Sequence, residues 1–142
     1  MAVRDLDFAA LRDLRGRFGA AYPRGRVLFH EGDTSTDFYV VLQGSVDMAI
    51  RDPWSREPRL VRTVQAGEFF GEMSCFCDRP RAATAVIRED AVLLCLSQTA
   101  INELLARSPR FARGVIQTLC DRILADTDDL ARARTKLSHP GP

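Results

Sequence analysis

Phe69 to Ala85 read FFGEMSCFCDRPRAATA, and this stretch carries the most specific chemistry in the chain of 142 residues. Its two decisive charges are Glu72 and Arg81. A carboxylate can accept hydrogen bonds from sugar hydroxyls, whereas the planar guanidinium of arginine suits the oxygens of a phosphate. The small residues after Arg81 also allow backbone N–H groups to approach an anion. The stretch therefore predicts a pocket for a phosphorylated sugar.

The same stretch resembles the phosphate-binding cassette of cyclic nucleotide-binding domains. In that family a Phe-Gly-Glu turn, a Leu or Met and a small residue are followed, a short segment later, by Arg, small residues and Thr. Both halves of the pattern occur here at the family's separation. The matching positions are Phe70, Gly71, Glu72, Met73, Ser74, Arg81, Ala82, Ala83 and Thr84. The resemblance implies that the chain binds a cyclic mononucleotide through residues 69–85, called the cassette below.

The resemblance also implies a role for each part of the cassette. Glu72 is expected to accept a hydrogen bond from the ribose 2′-hydroxyl, and Arg81 to pair with the exocyclic oxygens of the cyclic phosphate. Gly71 allows close approach of the backbone to the ligand, where a side chain would collide. Backbone N–H groups complete the expected anion site, around Met73, Ser74, Ala82 and Ala83.

The base of the nucleotide needs an apolar cover. Alignment with the family places Met48, Val61 and Val64 near it. Arg62 has two interpretations. It is either an edge contact or stacking cation at the base, since arginine lies flat on aromatic faces, or a solvated charge on its strand.

Two positions favour different bases. Ala82 directly follows the cassette arginine, where cGMP-selective members commonly carry Thr or Ser, so it favours cyclic AMP. Comparison with the catabolite activator family places Asp126 and Thr127 beside the base. The Thr hydroxyl suits the adenine amine because it both donates and accepts, whereas Asp126 accepts from either adenine or guanine. Asp126 has a second interpretation as a polar residue that fixes register in a dimer seam. We predict cyclic AMP as the ligand, with cyclic GMP as the alternative.

Composition and charge narrow the function class. Hydrophobic residues make up 46%, charged residues 27% and the net charge is +1, which is typical of one globular domain without strong attraction to nucleic acid or membrane. No apolar run is long enough to span a bilayer, and the charged N-terminus is unlike a secretory signal, so a cytoplasmic location is expected. Cys75 and Cys77 are interpreted as buried small residues, because no four-ligand metal set accompanies them. No catalytic constellation is visible, so we expect neither an enzyme nor a metal site.

The chain outside the cassette predicts a mainly β fold with flanking helices. Short apolar runs recur between turn signals such as Gln43-Gly44-Ser45, which indicates an antiparallel sandwich or barrel, and the resemblance implies a β-roll of jelly-roll type. The expected organisation is a single domain. Its parts are an N-terminal helical segment at residues 1–24, the β-roll with the cassette at 25–97, helices at 98–137 and a disordered tail at 138–142.

The last helix, predicted from Pro109 to Leu137, has its own pattern. Apolar residues recur every seven positions, with Leu119, Asp126 and Ala133 in the alternate seam; the first set is Ile116, Ile123, Leu130 and Leu137. This periodicity predicts a parallel homodimer through the helix. We therefore expect a sensor that transmits ligand binding through this helix to an effector that the sequence does not identify. The alternatives are the ligand-sensing part of a Crp/Fnr-type transcription regulator whose DNA-binding domain is missing from this chain, and a cassette that serves only dimerisation.

Overall fold

A computed structural model describes residues 8–138 of the chain. Within this range six strands form one sheet, which is flanked by helices. In chain order they are α1 (Phe8–Phe18), β1 (Gly19–Tyr22), β2 (Val27–Phe29), β3 (Phe38–Arg51), β4 (Pro58–Gln65), β5 (Phe69–Phe70), α2 (Glu72–Cys77), β6 (Thr84–Leu96), α3 (Gln98–Arg107) and α4 (Pro109–Ser138). The first residues of the predicted N-terminal helix and most of the predicted tail lie outside the described residues. None of the helices in residues 8–138 has the length and apolar character needed to cross a bilayer.

The sheet is built on two long strands. β3 and β6 pair antiparallel, with Phe38 opposite Leu96 at one end and Ala49 opposite Thr84 at the other. β1 and β2 pair with β6, whereas β4 and β5 pair with β3, and every pairing is antiparallel. The predicted mainly β fold with flanking helices is confirmed.

Alternation along the strands divides the core into two layers. Phe38, Val40 and Phe69 face a cluster that also contains residues of α1, α3 and α4. Their neighbours Tyr39 and Phe70 point the other way, into the interior of the roll. Successive side chains of a strand face opposite sides of the sheet, so one sheet packs its helices on one face and encloses the roll with the other.

The turn predicted at Gln43-Gly44-Ser45 is wrong. β3 runs through it as a single strand whose pairing with β6 shifts register at these residues, as in a β-bulge. Gly44 has a φ of 80°, and a Cβ there would lie 2.4 Å from the Asp90 carbonyl oxygen. Glycine therefore marks a close approach of two paired strands here, a pattern that resembles a turn signal in sequence.

The C-terminal helices follow the predicted pattern. The Ser97 hydroxyl accepts from the Ala100 N–H and caps α3, and the Ser108 hydroxyl accepts from the Phe111 N–H in the first turn of α4. Phe111 and Val115 bury the start of α4 against the sheet. From residue 123 to residue 137, every position of α4 is exposed.

Candidate functional site

A cavity of about 180 Å³ opens between the cassette and the strands β3 and β4. Its wall is mostly apolar, with a small number of polar groups from the cassette. The lining residues are Phe29, Met48, Ile50, Val61, Arg62, Gly71, Glu72, Met73, Ser74, Arg81, Ala82 and Ala83. An apolar cavity with a few converging polar groups is the usual form of a small-molecule site.

Arg81 forms the floor of the cavity and is only 3% exposed. Its guanidinium donates three hydrogen bonds, from Nε to Ser35 Oγ at 3.0 Å, from Nη1 to the Gly71 carbonyl at 3.2 Å and from Nη2 to the Asp37 carbonyl at 2.9 Å. The Phe29 ring packs against the guanidinium, with 4.0 Å between Cζ and the ring centroid. The cation is thus fixed before any ligand arrives.

No carboxylate of residues 8–138 lies within 4.0 Å of the Arg81 guanidinium. Its hydrogen-bond acceptors are a hydroxyl and two carbonyls, all uncharged. Burial, the largest cause, lowers the pKa of Arg81, although an arginine in a protein stays protonated. The Asp37 charge acts on Arg81 only from beyond this distance, and a buried charge without a directly bonded counter-ion is costly, so the floor of this cavity is suited to an anion.

Gly71 is required by the packing around Arg81. It has a φ of 84°, and a Cβ on this residue would lie 2.8 Å from both Arg81 Nη1 and the Asp37 carbonyl oxygen. Gly71 also precedes α2, which lacks a side-chain cap. Since the first N–H groups of a helix have no partners within it, donors at the start of α2 are free to face an anion beside Arg81.

Glu72 lies at the rim of the cavity and is paired with Arg122 of α4. Arg122 Nη1 donates to Glu72 Oε1 at 2.8 Å, and Nη2 donates to the Phe69 carbonyl at 2.8 Å. The Arg122 side chain is 22% exposed and that of Glu72 13%. Burial lowers the pKa of Arg122, while the Glu72 carboxylate opposes this shift. One face of α4 is therefore bonded directly to the carboxylate expected to contact the ribose.

Comparison with known proteins agrees with this geometry. A family model described as the cyclic nucleotide-binding domain matches residues 20–108. The chain belongs to this family. The matched residues include the whole cassette and all of the residues that line the cavity.

Two curated relatives and one solved structure illustrate the family. The cyclic AMP receptor protein of Thermus thermophilus is 33% identical over 102 residues, which are 72% of this chain and 47% of that protein. The cGMP-dependent protein kinase 2 of Mus musculus is 26% identical over 102 residues, 69% of this chain and 13% of the kinase. The crystal structure of the Thermus thermophilus catabolite activator protein matches with a TM-score of 0.77 and 28% identity, covering 89% of this chain and 59% of that one. The chain thus spans about half the length of the bacterial relative that it matches.

Most of the predicted site residues of this cyclic nucleotide-binding domain line the cavity. They are Met48, Val61, Gly71, Glu72, Met73, Ser74, Arg81, Ala82 and Ala83. Phe29 and Ile50 also line it and were not predicted, because nothing in their local sequence sets them apart from other strand residues. Arg62 lines the cavity as well and is half-buried, which keeps the interpretation of this residue as a contact to the base open.

Five predicted residues lie outside the cavity lining. Phe70 and Val64 are buried in the roll interior, and the Thr84 hydroxyl accepts from the Glu31 N–H at 2.9 Å. Asp126 is exposed on α4, and Thr127 donates its hydroxyl to the Ile123 carbonyl of its own helix at 2.9 Å. The structure therefore brings most of the cassette residues together around the cavity, whereas Asp126 and Thr127 of α4 are not among its lining residues.

Arg122, which is bonded to Glu72, is the residue beside the site that the sequence interpretation missed. It lies one helical turn before Asp126 and so shares its face of α4. The spacing of four residues could have indicated Arg122. If Asp126 is expected to approach the cavity, the residue one helical turn earlier on the same face is expected to approach it as well.

The cysteines differ in their surroundings. All four are free, with Cys75 buried, Cys95 half-buried, and Cys77 and Cys120 exposed. The interpretation as buried small residues thus holds for Cys75 and is wrong for Cys77. Burial raises the pKa of the Cys75 thiol to about 11. Among residues 8–138, no group of three or more potential ligands is placed to hold a metal ion.

Proposed function

We propose that this domain binds a cyclic mononucleotide, with cyclic AMP as its main ligand, and acts as a cytoplasmic sensor and not as an enzyme. The observation that carries this proposal is Arg81, a buried cation at the floor of an apolar cavity with only uncharged acceptors around it. A ligand phosphate supplies the missing counter-ion.

The charge of the site favours a cyclic monophosphate. A guanidinium has five N–H groups, of which Arg81 uses three within the protein, so two remain for the ligand. Two such donors and the free N–H groups at the start of α2 suit the single negative charge of a cyclic phosphate. Nucleoside triphosphates are bound by a Gly-rich loop with Lys and a metal-binding hydroxyl, and the sequence has no such motif.

The rim of the cavity supports recognition of the ribose. Glu72 offers carboxylate oxygens there, and one of them is already bonded to Arg122. Carboxylates have several acceptor sites, so Glu72 can accept from a ribose 2′-hydroxyl and remain paired with Arg122. Loss of the 2′-hydroxyl is therefore expected to weaken binding.

Two groups of residues bear on recognition of the base. Met48 and Val61 give an apolar cover for either purine. Ala82 and the cyclic AMP receptor protein of Thermus thermophilus favour cyclic AMP. Cyclic GMP is the second candidate because Arg62 lines the cavity, and an arginine fork is the characteristic partner of guanine O6 and N7. The match to the cGMP-dependent protein kinase 2 is consistent with that alternative.

In this proposal, the signal of ligand binding is transmitted through α4. Arg122 connects the helix to Glu72 and Phe69, so a ligand that draws on Glu72 alters the bonds that hold α4. A cavity of about 180 Å³ is smaller than the roughly 300–1,000 Å³ of typical enclosing pockets. A nucleotide seated on Arg81 therefore extends towards α4, where Asp126 and Thr127 can contact the base once the helix shifts.

A parallel homodimer completes the proposal. The stripe Ile116, Ile123, Leu130 and Leu137 is 60%, 63%, 67% and 82% exposed. In a parallel seam with these residues in register, Asp129 and Arg134 occupy flanking positions of opposite charge on neighbouring helices. A second copy of α4 thus covers the apolar stripe and pairs these charges.

The domain is also a candidate ligand-sensing part of a Crp/Fnr-type transcription regulator. The bacterial relative is about twice as long as the matched region, since the chain covers 47% of it. In this alternative α4 passes the signal to a DNA-binding domain, and this chain itself contacts no nucleic acid. This alternative is tested by establishing whether the gene product continues past Pro142.

Calorimetric titration with cyclic AMP and cyclic GMP tests the proposed function. The wild type is expected to bind cyclic AMP more tightly, and Arg81→Ala is expected to bind neither nucleotide measurably. Arg79→Ala is the matched control, because Arg79 is an exposed arginine of the same cassette. Folded wild type that binds neither nucleotide would overturn the proposal, and unchanged binding by Arg81→Ala would overturn the role of Arg81.

A further inference from the structure

We propose that Ser35, which lies outside the cassette, is a positioning residue that sets the orientation of the Arg81 guanidinium for the ligand phosphate. This inference rests on the proposed function and adds to it a residue that does not line the cavity. It starts from the loop Glu31–Asp37, between β2 and β3, which is bonded to the second half of the cassette.

The backbone of this loop is paired with the cassette. The Gly32 N–H donates to the Arg81 carbonyl and the Arg81 N–H donates to the Asp33 carbonyl, both at 2.8 Å. The Glu31 N–H donates to Thr84 Oγ1 at 2.9 Å. The loop and the Arg81 backbone therefore form one unit, and the main chain of Arg81 cannot move independently of residues 31–33.

Ser35 then fixes the end of the side chain. Among the three acceptors of the guanidinium, two are backbone carbonyls, and Ser35 Oγ is the one that belongs to a side chain. It accepts from Nε, while the Phe29 ring packs on the face of the guanidinium. The ring fixes the plane of the cation, and the Nε bond acts together with the two Nη bonds to fix its rotation within that plane. The two remaining N–H groups thereby acquire a defined direction.

The burial of the two residues makes this role testable. Arg81 is buried, whereas Ser35 is exposed, so removal of the Ser35 hydroxyl leaves no cavity in the core. Exposed polar substitutions of this kind usually change stability little. A change in ligand affinity on such a substitution therefore reports on Arg81 and not on folding.

The first test measures cyclic AMP affinity of the full chain by calorimetry. Ser35→Ala is expected to weaken binding about tenfold, as for the loss of one hydrogen bond to a charged group. Thr34→Ala is the matched control, since it removes a neighbouring exposed hydroxyl, and it should change affinity less than about twofold. Ser35→Thr keeps the hydroxyl and should restore near-normal binding.

A double-mutant cycle separates positioning from other effects. Lysine has no counterpart of the Nε–H fork, so in an Arg81→Lys background Ser35→Ala should cause no further loss of affinity. An equal loss in both backgrounds, or Ser35→Ala binding within about twofold of the wild type, would overturn the inference.

A ligand-free measurement keeps this inference distinct from the proposed function. In the wild type, the Arg81 Nε–H should be visible by NMR and exchange slowly with solvent, because it is hydrogen-bonded and buried. Ser35→Ala should accelerate this exchange, and Thr34→Ala should not. Unchanged exchange in Ser35→Ala would overturn the positioning role, whereas a protected Nε–H in a chain that binds no nucleotide would overturn the proposed function alone.

Discussion

A buried arginine lies at the floor of the cavity and a half-buried one beside its rim, and the two arginines are stabilised differently. Arg122 at the rim is bonded to the carboxylate of Glu72, so its charge is balanced within the protein. Arg81 at the floor has a hydroxyl, two carbonyls and an aromatic face around it. The comparison separates a cation that is paired within the fold from a cation that has no carboxylate partner and that we propose binds the ligand.

The largest expected effect concerns the floor. Arg81→Gln removes the charge and its two free donors, each of which is worth about 1.5–3 kcal/mol in a charge-assisted hydrogen bond. Cyclic AMP affinity should therefore fall by at least about 100-fold, as measured by calorimetry. The melting temperature without ligand should change less, because an uncompensated buried charge is removed together with its hydrogen bonds. A folded Arg81→Gln variant that retains wild-type affinity for cyclic AMP would contradict this account of the floor.

The next effect concerns the exposed end of α4. Leu130→Asp places a charge in the apolar stripe of the proposed dimer, and sedimentation velocity should show a shift from dimer to monomer. Leu124→Asp is the matched control, because Leu124 is 62% exposed but lies off the stripe. Wild type that sediments as a monomer with and without cyclic AMP would contradict the dimer, and equal effects of both variants would contradict the register.

At the rim, substitution of Arg122 is expected to lower the stability of the fold more than the affinity for the ligand. Arg122→Gln leaves Glu72 largely buried without its partner, which should lower the free energy of unfolding by about 1–3 kcal/mol. The cost should be smaller in a Glu72→Gln background, where no carboxylate is left unpaired. Urea unfolding of the four proteins of this cycle gives the coupling directly. Additive effects would show that the bond between α4 and the cassette carries no energy.

The narrowest expected effect, which is limited to one of the two nucleotides, concerns base selection. If Arg62 contacts guanine, Arg62→Ala should weaken the binding of cyclic GMP by about 1–3 kcal/mol. The affinity for cyclic AMP should remain nearly unchanged. The ratio of the two dissociation constants is the measurement. Arg59→Ala, an exposed arginine of the same strand, serves as the control. A proportional loss for both nucleotides would indicate that Arg62 acts on the phosphate or on folding and not on the base.

The sequence predicted the floor of the cavity better than its rim, for a physical reason. Gly71 and Arg81 belong to one short segment whose local spacing brings them together, so the pattern contains the geometry. The bond between Glu72 and Arg122 joins residues 50 positions apart and depends on where α4 packs. Gly44 shows the same limit, because its close approach to Asp90 is set by the pairing of β3 with β6. When only the neighbouring residues in the sequence are considered, this glycine resembles part of a turn.

The contact at Arg122 is the point about which the exposed part of α4 can tilt. Arg122 is the last half-buried residue of the helix, and the exposed segment that follows it, residues 123–137, extends about 22 Å beyond it at 1.5 Å per residue. With the fulcrum at the rim of the cavity, a tilt of about 10° displaces Leu137 by about 4 Å. In the proposed mechanism, a rearrangement of this single ion pair on ligand binding is converted into a displacement at the far end of the helix, where a partner is expected to contact it.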